Sequence, residues 1–198
     1  MDHTRSTLLR RLCDRSDEQA WRTFDELYRG MLVGYARARG LGQADAEDVA
    51  QQCAQVVLEQ IGEYQHAGSF KKWLRAIAEH KIVDSFRRQR REVQPGTGVM
   101  GGHADGTPGV EEVWEQHWEV AHLRYCAQTV RCEVAPGTFE AFVGYALEGR
   151  DAAMVAAALG MTANQVYVAK HRVLDRIRAK MLELTGEDSI GVPGKGSA

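Results

Sequence analysis

Asp151-Ala-Ala-Met-Val-Ala-Ala-Ala-Leu-Gly-Met-Thr-Ala-Asn-Gln-Val-Tyr-Val-Ala-Lys-His-Arg172 reads as two helices meeting at a tight turn. Ala156 is small enough for the helices to cross closely. Gly160, four residues later, can take the left-handed conformation that ends the first helix, and Val166 anchors the second. Thr162-Ala-Asn-Gln165 has the form of a capping box. A small residue, a glycine and a β-branched residue at this spacing suit a DNA-binding helix-turn-helix, whose second helix must be held at a fixed angle to enter a major groove. At ~100° per residue, Val166, Lys170, Val173, Ile177 and Met181 share the packed side, with the Lys170 head reaching outward. The opposite side carries Asn164, Gln165, Val168, His171 and Arg172, flanked by Tyr167, a set able to meet base edges or phosphates.

Working outward, the chain is helical almost throughout. Trp21, Phe24, Leu27, Tyr28, Met31, Leu32 and Tyr35 form a stripe at three- and four-residue steps. Strand-like alternation is scarce. Ser16-Asp-Glu-Gln19 reads as a second capping box, and Asp45 as an N-cap after Leu41-Gly42. The fold class is all-α. One segment breaks the pattern: residues 94–110 hold glycines and prolines too dense for a helix and read as a flexible linker. The expectation is two small helical domains, 1–93 and 111–186, followed by a frayed tail, 187–198.

The 198 residues are 44% hydrophobic and 26% charged, the balance of a globular protein. A formal net charge of −2 excludes a uniformly basic nucleic-acid binder, so any polyanion site is local. The charge is in fact segregated. From Gly42 to His66 there are Asp45, Glu47, Asp48, Glu59 and Glu63 but no Lys or Arg. From Lys71 to Glu92, eight cationic residues stand against three anionic ones, and from Ala163 to Met181 five stand against one. Cys13, Cys53, Cys126 and Cys132 form no Cys-x-x-Cys pair and read as small core residues, so no metal or cofactor is implied. The amino-terminal residues lack a signal-peptide apolar run, and no segment approaches the ~20 apolar residues of a membrane span. A cytoplasmic protein without membrane contact is the expectation.

Three motifs in order carry a family resemblance: Asp45-Ala-Glu-Asp-Val-Ala-Gln-Gln52, then Phe70-Lys-Lys-Trp-Leu-Arg through Asp84-Ser-Phe-Arg87, then Leu147-Glu-Gly-Arg through His171-Arg-Val-Leu174. Together they resemble bacterial RNA polymerase sigma factors of the extracytoplasmic-function (ECF) type over nearly the whole chain. The resemblance implies no catalysis. It implies a factor that binds core RNA polymerase, directs it to specific promoters and assists melting. Sigma region two would dock on the clamp coiled coil of the polymerase largest subunit through Asp45, Glu47, Asp48, Gln51 and Gln52, an acidic face suited to a basic partner.

The same domain would engage the minus-ten element through Tyr64, Gln65 and His66, in a loop that captures an unstacked base, and through Lys71, Lys72, Arg75, Arg87, Arg88 and Arg91 as phosphate contacts. Sigma region four would read the minus-thirty-five element through Thr162, Asn164, Gln165, Tyr167, Val168, Lys170, His171 and Arg172. The polymerase flap and an anti-sigma protein are further partners the resemblance suggests. The chain departs from the family pattern with Gln52 where Glu is common, His80 where Asn is usual, and Tyr167 and Ala169 where Arg or Lys is frequent.

Along the basic segment, Ile82, Val83 and Phe86 do not line up with Phe70, Trp73 and Ile77, so periodicity leaves its DNA-facing subset open. Trp73 reads as core. Two other classes fit parts of the sequence. A stand-alone helix-turn-helix regulator would read paired half-sites as a homodimer. A metal-dependent hydrolase would use His80 and Asp84, four apart on one helix face, with Glu47 and Asp48, although no complete ligand set is spaced for a metal.

Overall fold

The computed structural model describes residues 5–64, 69–93 and 109–185. Helices α1 (Arg5–Leu12), α2 (Glu18–Ala38), α3 (Gln43–Gln60), α4 (Phe70–Val93), α5 (Val110–Glu133), α6 (Pro136–Phe142), α7 (Ala152–Leu159) and α8 (Ala163–Thr185) account for most of them, and no strand occurs among the described residues. The all-α reading holds. No single described helix is long and apolar enough to cross a membrane. The chain forms two compact units, one spanning Thr7–Ala121 and one beginning at His122.

In the first unit α2, α3 and α4 enclose a common core. The α2 stripe is buried at Phe24, Leu27, Tyr28, Met31, Leu32 and Tyr35, while Trp21 at its start is half-buried. From α3 come Ala46, Val49, Ala50, Cys53 and Val57, and from α4 come Phe70, Leu74, Ala78, Ile82 and Ser85. That last series settles the mixed periodicity of α4. The line through Phe70, Leu74, Ala78 and Ile82 is the buried one, and Trp73, Ile77, Val83 and Phe86 are half-buried on its flanks.

The boundary between the units lies inside α5. The residues from Val110 to Ala121 belong to the first unit, beyond the end expected at residue 93. The cause is aromatic. Trp114 stands edge-on to Tyr35, centroids 4.9 Å apart, and Trp118 packs on Tyr28 at 5.3 Å; both indoles are buried. Two tryptophan side chains removed from water contribute several kcal/mol, at ~25 cal/mol per Å² of apolar surface. Of the expected linker only Gly109, in a turn, and Val110, the first residue of α5, are described. Residues 94–108 and the expected tail lie outside the described residues.

Local signals fall a residue or two from where they read in sequence. The α2 N-cap is Asp17, accepting from the Ala20 N–H, whereas Ser16 turns back to Asp14. The α3 N-cap is Gly42, in extended conformation, which leaves Asp45 in the first turn, where a carboxylate still complements the helix dipole. Cys53 and Cys126 are buried, but Cys13 and Cys132 are exposed and are not core residues.

The second unit packs the latter half of α5 with α6, α7 and α8. One cluster holds Cys126, Val130, Phe142, Val173, Ile177 and Met181. Another, around Ala141, Ala152, Val155, Ala156, Val166 and Ala169, locks α7 against α8.

Candidate nucleic-acid and partner surfaces

The helix-turn-helix has the geometry its sequence requires. Asp151 caps α7 by accepting from the Ala153 and Met154 N–H groups. Gly160 ends it at φ +64°, in the left-handed region. The box at the start of α8 closes in both directions: Gln165 N–H donates to Thr162 Oγ1 at 3.2 Å, and Thr162 N–H donates to Gln165 Oε1 at 2.7 Å. The two helices are bent by 96° across the turn, within the ~90–120° of such motifs.

Winding α8 on this frame buries Val166, Ala169, Val173, Ile177 and Met181. Asn164, Gln165, Tyr167, Val168, His171 and Arg172 are exposed. Ala169, which the sequence reading left off the packed side, is buried in the α7 contact. Gln165, although exposed, has its carbonyl oxygen committed to the cap. Lys170 is half-buried, its ammonium 5.5 Å from the centre of the Tyr145 ring, and Tyr167 stands edge-on to that same ring. Val168 adds an exposed apolar group suited to a thymine methyl.

On α3, Glu47, Asp48 and Gln51 are exposed and Asp45 and Gln52 half-buried. The acids are not an isolated patch. Arg88 on α4 comes within 3.4 Å of Asp45 and 3.8 Å of Asp48, and Gln89 donates to Asp45 at 2.9 Å. Beside this network lies a polar pocket of about 350 Å³ lined by Gln52, Asp84, Ser85, Arg87, Arg88 and Arg91. Two groups that sequence reading kept apart, the acidic docking candidates and the basic helix, are thus joined by Arg88.

The remaining basic candidates divide. Lys72, Arg87 and Arg91 are exposed, with Arg87 3.6 Å from Asp84. Lys71 is paired with Glu115 and Arg75 with Glu111 at 2.8 Å, both partners on α5. Tyr64 stacks on Trp73 with centroids 4.9 Å apart and planes 29° from parallel. Trp73 is therefore a half-buried ring stacked on Tyr64 and not a core residue. Gln65 and His66 lie outside the described residues.

Trp73, Gln89 and the α5 glutamates are the groups sequence reading missed. The repeat Glu111, Trp114, Glu115, Trp118 at helical spacing was the available signal for α5. His80 and Asp84 form a pair, Nδ1 to Oδ2 3.2 Å, but no group of three or more His, Cys, Asp or Glu side chains able to hold a metal ion occurs among the described residues.

Residues 24–92, the span holding α3, the latter two-thirds of α2 and nearly all of α4, match the family model of sigma-70 region 2. Residues 24–92 thus carry a sigma-70 region 2 domain. It is 26% identical over 172 residues to the ECF RNA polymerase sigma factor SigD of Mycobacterium tuberculosis, and equally to that of Mycobacterium bovis. The alignment covers 84% of this chain and 79% of the relative. The domain match and this similarity together support an ECF-type sigma factor with a role in transcription initiation.

Proposed function

We propose that this chain binds core RNA polymerase through the amino-terminal face of α3, places α8 in the major groove of a minus-thirty-five element, and holds the opened minus-ten strand against α4 and the Tyr64–Trp73 stack. The observation that carries the reading is the helix-turn-helix. The packing side of α8 is buried against α5, α6 and α7, while Asn164, Tyr167, Val168, His171 and Arg172 stand exposed on one helix. Asp45, Glu47, Asp48, Gln51 and Gln52 supply the acidic surface for a basic coiled coil. An unpaired base needs a stacking surface to offset what it loses on leaving the duplex, and the Tyr64–Trp73 pair offers one. Lys72, Arg87, Arg88 and Arg91 supply phosphate contacts. The division between 1–93 and 111–186 is functional in this reading: minus-ten work in the first, minus-thirty-five work in the second.

Selection of random duplexes by reconstituted holoenzyme tests the proposal. The expected product is a pair of sequence blocks at fixed separation, with the upstream block altered by Arg172→Ala. Enrichment of a single palindrome by the chain alone, as a homodimer, would favour a stand-alone regulator.

A further inference from the structure

Two of the cations on α4 are already occupied by carboxylates of the same chain. Lys71 pairs with Glu115 and Arg75 with Glu111. The pairs run in opposite senses along the two helices, four residues apart on each, so they lie one above the other about 6 Å along the helix axis. Lys71 is also 5.7 Å from the centre of the Trp118 ring. The helix that presents the carboxylates is anchored, because Trp114 and Trp118 are 1% and 7% exposed against Tyr35, Tyr28 and Phe70. The carboxylates themselves are freer: the Glu111 side chain is 73% exposed and that of Glu115 42%.

We infer that the first half of α5 is a built-in phosphate mimic, holding Glu111 and Glu115 over Lys71 and Arg75 so that DNA phosphates must compete with them. The helix stays seated on its tryptophans while the glutamates exchange. The inference rests on the proposed role of Lys71 and Arg75 as phosphate contacts. It adds that the chain carries its own competitor for them, which lowers affinity for DNA in general.

The test uses the full chain and a short fluorescein-labelled duplex of mixed sequence, followed by anisotropy at low salt and across a salt series. Glu111→Gln with Glu115→Gln is compared with Glu112→Gln plus Glu119→Gln, two exposed acids of the same helix. Circular dichroism confirms that each variant stays folded. The expected result is binding about fivefold tighter for the first variant, the equivalent of two weak ion pairs. Its slope of log K against log salt should also be steeper by about 1.8, for two more phosphates neutralised. The second variant should stay near wild type. Equal tightening by both variants means general charge removal and overturns the inference.

Lys71→Gln with Arg75→Gln, made in both backgrounds, separates the two ways of failing. A small loss in wild type and a large loss in the Glu111→Gln, Glu115→Gln background supports the mimic. Equal losses in both overturn the mimic while keeping the contacts. No loss in either overturns the contacts themselves.

Discussion

Arg88 on α4 lies 3.4 Å from Asp45 on α3, so the most basic helix of the first unit and the acidic amino-terminal turn beside it are electrostatically one surface. Arg88 also reaches Asp48, and Gln89 donates to Asp45. Asp45 pairs with its own chain, and in the proposed function it also meets a partner. These two roles can be separated by mutation.

Exchanging the charges, Asp45→Arg with Arg88→Asp, should restore an attractive pair that either single change lacks. Both side chains are substantially exposed, so the pair is worth at most ~1 kcal/mol. The single variants and the exchange should all unfold in urea within about that margin of wild type. Polymerase binding should be lost by Asp45→Arg and not regained by the exchange. Recovery of binding in the exchanged protein would make Asp45 a purely structural residue.

Gly160 is a position where backbone geometry alone sets the cost. Its φ is +64°, and a Cβ built there meets nothing within 4 Å. Gly160→Ala should therefore cost about 1–2 kcal/mol through conformation and not through a clash. A urea titration should show a lower midpoint with an unchanged slope, and Gly160→Asn should lose less because Asn tolerates the left-handed region better.

The first unit should require α5. Trp114 is 1% exposed, and Trp114→Ala should destabilise by roughly 3–5 kcal/mol. A chain ending at Ala121 should unfold cooperatively. One ending at Val93 leaves Tyr28, Tyr35 and Phe70 without the rings that cover them and should show a broad or absent transition. Circular dichroism against urea distinguishes the two.

His117 gives the first unit a dependence on pH. Burial holds its imidazole pKa below the ordinary 6.5, and its buried Nε2 has no hydrogen-bond partner. Above 6.5 the ring is neutral folded and unfolded alike, and no penalty arises. As pH falls below 6.5 the unfolded chain takes up a proton first, so stability declines until the folded value is passed and then levels off. Urea midpoints measured on either side of pH 6.5 should fall with acid in wild type, and less so in His117→Asn.

The α2 stripe and the helix-turn-helix were legible because each buries a single face, and a single face leaves a clean period in the sequence. The α4 helix was not. It is covered on one flank by α3 and on another by α5, so its apolar residues spread around it and its periodicity blurred. The place of α5 was hidden for a different reason: glycine and proline density marks where chain regularity stops, not where packing changes partner. Only the long-range Trp114–Tyr35 and Trp118–Tyr28 contacts show that. The candidate docking acids were read from the family resemblance and from charge segregation, but the pairing of Asp45 with Arg88 joins residues 43 positions apart and leaves no local trace.

The central claim, that the acidic turn of α3 is the polymerase-binding surface of a sigma factor, is tested most directly by co-purification with bacterial core RNA polymerase. Wild type is compared with Asp45→Lys plus Asp48→Lys. The account predicts that wild type is retained and the variant is not, with helical circular dichroism alike in both. Retention of the charge-reversed protein at the wild-type level, or failure of folded wild type to bind core at all, would contradict it.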